Sequence, residues 1–172
     1  MTTLSQSDAQ FLADHSRHDP DFFWQSILGC TSVYNKQLEM ARAVRDHNRV
    51  AVVGANGTGK DWQSARVMLW WMATRSPAIC VVLGPTHRQV SDIVWKEARS
   101  AYLTARMPLG GQMYRTARWE LDDRHYAVGF STDNEYNIQG FHSPNLLVIL
   151  TEAHNIEQSH IDAVKRLNPA RM

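Results

Sequence analysis

Cysteine is scarce in this chain: there are two, Cys30 and Cys80. Two thiols cannot build a disulfide framework, and a reducing compartment is the simpler expectation. Long apolar runs are missing too. Runs such as residues 67–73 and 146–150 fall far short of the roughly 20 residues that a membrane helix needs. Residues 1–20 are polar and lack the apolar centre of a secretory signal. A soluble, intracellular protein is expected. Neither sign of charge dominates: 18 basic and 17 acidic residues leave a net charge of +1. That excludes a polybasic arm or an acidic tail, so any contact with DNA would need a local patch. There is no internal repeat and no low-complexity tract. The eight histidines show no metal-ligand spacing, and no Ser–His–Asp or paired-cysteine pattern stands out.

What is present suits a single domain. A chain of 172 residues, 44% hydrophobic and 20% charged, can support one packed core. Asp19 and Pro20 read as an N-cap and first turn, with Gly29 as the stop. Asn35 is placed to cap a helix through residue 47. Residues 50–54, VAVVG, form a short apolar run suited to a buried parallel strand, as do 79–84, ICVVLG, and 146–151, LLVILT. Thr86 is a good N-cap for the helix that follows the second of these. Residues 116–121 and 125–131 alternate around a short turn and predict a β-hairpin inserted into the sheet. Asn155 is expected to cap a last helix. The tail, residues 168–172, follows that helix with no strand predicted. Buried strands separated by helices imply an α/β fold with a mainly parallel sheet.

The strongest local signal is Gly54-Ala55-Asn56-Gly57-Thr58-Gly59-Lys60, set between a predicted buried strand and a predicted helix. Glycines let successive N–H groups turn inward around phosphate oxygens, and the helix N-terminus adds partial positive charge. Lys60 would reach the outer phosphates. On the chain's own glycine and lysine frequencies, roughly 0.01 accidental GxxxxGK matches are expected. One position departs: the Ser or Thr expected after the lysine as a Mg²⁺ ligand is Asp61.

A second motif ends the strand at 146–151. Four apolar residues lead to Thr151 and Glu152, at the carboxyl end where α/β sheets bind ligands. The usual pair there is Asp-Glu, the first holding Mg²⁺ and the second orienting the attacking water. Here Glu152 is present and Thr151 stands in the Asp place. The two departures are complementary, a hydroxyl become carboxylate and a carboxylate become hydroxyl. Two readings stay open: a swapped ligand pair, Asp61 and Thr151, or two losses in a protein that no longer hydrolyses ATP. Gln37, 17 positions before Gly54, carries an amide able to pair with an adenine edge or simply to sit on a helix surface. Phe22, Phe23 and Trp24 fit core better than a base platform. Arg88, Arg99 and Arg106, offset by Asp92 and Glu97, read as a solvated face.

Together, Gln37, GANGTGKD, the Pro85–Val90 junction with its WKEAR helix, FSTDNEYNIQGFHSPNLLVIL and TEAH resemble the N-terminal ATPase half of phage large terminase subunits. The similarity spans roughly residues 22 to 167, and the Gly140-Phe141-His142 stretch is its most specific part. The resemblance implies a P-loop NTPase, a three-layer α/β/α domain of the ASCE type with a β-hairpin insertion. It implies ATP and Mg²⁺ as cofactors. Gln37 would contact adenine, residues 54–60 would cradle phosphates with Asp61 adjoining, Asp61 and Thr151 would take the metal positions, and Lys60 and Glu152 would be catalytic. The implied partners are double-stranded DNA, a portal protein and a small terminase subunit, with a homo-oligomeric ring in the cytoplasm of a bacterial host. The family's RNase H-like nuclease domain has no counterpart within residues 1–172, so a truncated, single partial ATPase domain with a polar extension at 1–20 is expected. In such folds a later strand separates the P-loop strand from the acidic one. Without it the sheet is expected to carry a gap, leaving three outcomes: a repacked core, a strand from a partner chain, or a marginal fold. A non-hydrolysing nucleotide-binding remnant and a helicase-like ATPase are the competing functions.

Overall fold

The computed structural model describes residues 6–132, 138 and 140–172. Part of the segment that carries the resemblance, residues 133–137 and 139, lies outside the described residues, as do residues 1–5. Helix α1 (Gln6–His18) occupies most of the polar N-terminal stretch and docks on a later helix, α4, whose Trp70 indole donates to the Ser16 carbonyl at 2.7 Å. Asp19 caps α2 (Pro20–Phe22), its carboxylate accepting from the amides of Asp21 and Phe22. A π turn (Phe23–Ile27) continues it, and Gly29 ends the segment at φ 74°. Next come α3 (Asn35–Asp46), α4 (Lys60–Thr74) and β1 (Ile79–Gly84). A π segment (Gln89–Val94) leads into α5 (Trp95–Thr104). Strands β2 (Gln112–Met113), β3 (Arg118–Asp122), β4 (His125–Ser131) and β5 (Leu146–Leu150) follow. A 3₁₀ turn (Ala153–Asn155) and α6 (Gln158–Arg166) complete the order.

The sheet is five-stranded, open and mixed, in the order β2-β3-β4-β1-β5. β1 is parallel to both β4 and β5, while β2-β3 and β3-β4 are antiparallel. All six residues of β1 are buried, as a strand covered on both faces must be. Cys80 and Val82 face the helical layer with Met68, Met72 and Trp95, whereas Ile79, Val81 and Leu83 face a second cluster with Ile156 and Val164. Helices therefore cover both faces of an α/β sheet.

Five expectations need correction. The hairpin of β3 and β4 is no insertion, because β4 pairs along its whole length with β1 and belongs to the centre of the sheet. Helix α3 is capped at Tyr34 rather than Asn35. The Gln37 side chain reaches back to the Tyr34 amide at 3.0 Å and starts the helix one residue earlier. Helix α6 begins after Glu157 rather than at Asn155. Burial of Ile156 in the second cluster turns the chain first, through the 3₁₀ step.

The largest difference is at residues 50–54, which pair with no strand. Val53 is 98% and Val52 45% exposed. The reason is a gap beside β5, into which the tail turns after Asn168 (φ 48°). Contrary to expectation, the tail has strand character. Arg171 bridges Leu147 in parallel, its amide donating to Leu146 O and its carbonyl accepting from Val148 N. On the other side Met172 N donates to Asn48 O, and Val50 N donates to Met172 O. The gap is thus one strand wide, and the tail occupies its first rungs. The Arg171 guanidinium locks it there, donating to the carbonyls of Val44 and Arg45 at the end of α3 and to Asn48 Oδ1.

Candidate functional site

The loop at 54–60 stands at the start of α4, whose N-terminus brings uncapped amides to it. Gly57 and Gly59 take φ 78° and 81°, conformations that suit glycine, and Gly59 serves as the N-cap. A Cβ at Gly59 would lie 3.0 Å from Gln37 Nε2, whereas the same position at Gly57 opens on free space. Thr58 Oγ1 donates to Ala55 O at 2.8 Å. Lys60 Nζ folds back over the loop, donating to the carbonyls of Gly54 and Ala55 at 2.9 Å each. An ammonium has three donors, so one remains for another acceptor.

Asp61, in the first turn of α4, and Thr151, immediately after β5, come together. Thr151 Oγ1 donates to Asp61 Oδ1 at 3.0 Å. Thr151 is buried, and its own amide donates to Leu83 O, which extends the β1–β5 ladder to the site. Gly84 makes room for it, since a Cβ there would stand 2.9 Å from the Thr151 methyl. Glu152 follows in the left-handed region at φ 50°, an uncommon conformation for a residue other than glycine that turns the chain out of the sheet. Its carboxylate lies 3.6 Å from His154 Nδ1.

Two clefts meet at this point. One, of about 800 Å³, runs between residues 50–54 and β5 and ends on Lys60, Asp61, Thr151 and Glu152. The other, of about 360 Å³, lies across the loop and is lined by Asn56, Lys60, Asp61, Trp62, Glu97 and Glu152. Two pairs of neighbours far apart in the sequence, Lys60-Asp61 and Thr151-Glu152, therefore line the same cleft. Among the described residues, no group of three or more His, Cys, Asp or Glu forms a metal-binding cluster. The donors at hand are the Asp61 and Glu152 carboxylates and the Thr151 hydroxyl, all hard oxygens.

Gln37 reaches the loop from the first turn of α3. It is buried, its Oε1 is taken up by the Tyr34 amide, and its amide nitrogen packs against Gly59. It braces α3 against the loop. Phe23 and Trp24 are core, as expected, and Trp24 meets Trp62 edge to face. Glu97 is not simply part of a solvated face. It pairs at 3.1 Å with the buried Arg66, which also stacks 3.8 Å over the Trp62 ring. This Trp62–Arg66–Glu97 group behind the loop has no spacing signature, since α4 and α5 meet only in the folded chain.

Fold and site define an α/β protein with a glycine-rich loop at a helix start, facing an acidic strand end. No family model matches the chain, and no curated protein matches it closely enough to serve as a relative. Among the described residues, no helix is long and apolar enough to cross a membrane.

Proposed function

We propose that the chain is a P-loop NTPase of the terminase type, binding ATP with Mg²⁺ at residues 54–60 as the motor domain of a DNA-packaging large subunit. One observation carries the reading. Asp61 and Thr151, 90 residues apart, meet at 3.0 Å beside Lys60, at the carboxyl edge of a parallel strand pair. A carboxylate and a hydroxyl form an oxygen donor set of the kind Mg²⁺ accepts alongside phosphate oxygens. The space over Gly57 and the free N-terminus of α4 suit an anion.

In this reading the α4 amides and Lys60 hold the phosphates, with Lys60 exchanging its bonds to Gly54 O and Ala55 O for phosphate oxygens. Asp61 and Thr151 would hold the metal, which would supply charge neutralisation at the phosphates. Glu152, turned out of the sheet by its positive φ, orients and deprotonates the water. Double-stranded DNA, a portal protein and a small subunit are the partners in this proposal.

A second reading, nucleotide binding without turnover, is favoured by the same contact, because the Thr151 hydroxyl is engaged by Asp61. Calorimetric titration with a non-hydrolysable ATP analogue, with and without Mg²⁺, tests the site. Magnesium-dependent binding that Lys60→Ala abolishes is expected, and absence of binding in both conditions refutes it. Phosphate release then separates the readings. The double reversion Asp61→Thr with Thr151→Asp leaves the rate unimproved if the pair works as it stands, and raises it from near zero if turnover has been lost.

A further inference from the structure

Beyond the amino ends of β1 and β5, three helices finish close together. Arg17 lies in the last turn of α1, Arg45 in the last turn of α3, and Arg75 caps the end of α4. Arg45 Nη1 donates to His18 O at 3.1 Å, and Arg171 Nη2 donates to Arg45 O at 2.9 Å. The Arg171 guanidinium lies 6.0 Å from the centre of the Trp71 ring, and the Arg75 guanidinium 3.8 Å from it. Arg75 also covers the Trp70 ring at 4.3 Å. The Trp71 indole in turn donates to Asn145 O, just ahead of β5. Basic side chains at helix ends answer a partial negative charge of about half a unit per helix. Here four guanidinium groups meet three such ends. The carboxylates whose charge reaches Arg45 are engaged: Asp46 by Arg45 itself, Asp21 by Arg42, and Asp19 by the amides it caps. Arg75 donates to Thr74 Oγ1 at 2.8 Å and to no carboxylate among the described residues. Burial, then the like charges of Arg17 and Arg171, push its pKa down to about 9, so it stays charged at neutral pH in surroundings that disfavour the charge.

A chain with a net charge of +1 thus gathers four arginines, from positions 17 to 171, into one strip. Arg171 has its donors on Val44 O, Arg45 O, Asn48 Oδ1 and Ala170 O, so it supplies field rather than contact. Arg17 is exposed and Arg75 half-buried, and both keep donors for an outside acceptor. The strip does not enclose a single anion. It spreads charge along a surface, which suits a polymer of regularly spaced anions. Its large apolar residues, Trp70 and Trp71, are buried beneath the guanidinium groups. They offer neither the anchor that a membrane surface uses nor a face on which bases stack. We propose that this strip binds the phosphodiester backbone of a nucleic acid, with Arg17 and Arg75 contacting phosphates and Arg45 and Arg171 adding field. Backbone contact of this kind is independent of base sequence. The length of α4 puts the strip about 20 Å from Lys60, so the phosphate loop stays free.

The test uses no nucleoside triphosphate, so its failure is separate from any failure of the ATP reading. Fluorescence anisotropy of a labelled duplex of about 20 base pairs is followed on the intact chain, from about 50 to about 200 mM salt. Arg17→Glu is an exposed change that leaves the tryptophan stack alone, and Arg75→Gln removes the half-buried charge. Each is expected to weaken binding about fivefold or more and to lower the salt slope by about one. Circular dichroism checks the fold, and Arg17→Glu carries the test alone if Arg75→Gln unfolds. Lys60→Ala, and the pair Arg88→Gln with Arg99→Gln on the other basic face, are expected to leave the affinity unchanged. No binding at the lowest salt overturns the proposal, as does binding by folded Arg17→Glu that matches the parent chain. A loss in Lys60→Ala or in the Arg88 and Arg99 pair as large as that in Arg17→Glu puts the contact elsewhere and also overturns it. Tighter binding to poly-glutamate or to phosphatidylserine vesicles than to the duplex, lost in the same variants, makes another polyanion the partner and does so as well.

Discussion

At Gly59 two constraints coincide. The backbone lies at φ 81°, and the place of a Cβ is 3.0 Å from Gln37 Nε2. Gly59→Ala is expected to lower stability by about 1–2 kcal/mol from the left-handed conformation alone, read by urea denaturation, with Gln37 displaced from its contact. The place of the loop ahead of α4 was legible from glycines and a lysine at fixed spacing between an apolar run and a helical pattern. The meeting of Asp61 and Thr151 was legible as a pair of matched departures. The use of Gln37 was not. An amide that can read a base can equally cap a helix, and the bond from the Tyr34 amide to Gln37 Oε1 at 3.0 Å is seen only in the folded chain.

Elements were legible where burial alone defines them. β1 and β5 lie where apolar runs predict them, and Asp19 caps its helix as its neighbour Pro20 suggests. Residues 50–54 have the same composition yet form no strand, because a strand exists only through the partner beside it, and Val50 alone bonds the tail, through Met172 O. The tail shows the converse. Asn168-Pro169-Ala170-Arg171-Met172 carries no strand pattern, yet Arg171 and Met172 pair on both sides. Arg171 holds this edge by satisfying the last carbonyls of α3, a known use of basic side chains at helix ends. Arg171→Ala is expected to cost about 2 kcal/mol, since several part-buried acceptors lose charged donors. Faster amide exchange at Val148 and Val50 than at Val81 would locate the loss at the tail.

On the scale of the whole molecule, the core wraps a sheet closed by helices on both faces, and Cys80 sits at its centre. Burial pushes the Cys80 thiol far above its ordinary range, while Cys30 is half-buried and raised by burial against the opposing charges of Arg66 and Arg106. At neutral pH neither is a ready thiolate. Labelling of Cys80 by a thiol reagent is therefore expected to follow global unfolding, its rate rising with urea in step with loss of structure, while Cys30 labels through local opening. Equal labelling rates in native buffer would show that β1 is not the rigid centre. The sequence by itself determined the buried character of β1 and β5 and the α/β class, because each depends on residue types close together in the chain. Only tertiary structure decided that the hairpin joins the sheet through β4, that Glu97 neutralises Arg66, and that residues 50–54 wait beside a gap one strand wide. Those outcomes depend on which distant backbone edges and charges come to face one another, and that is settled by packing rather than by local pattern.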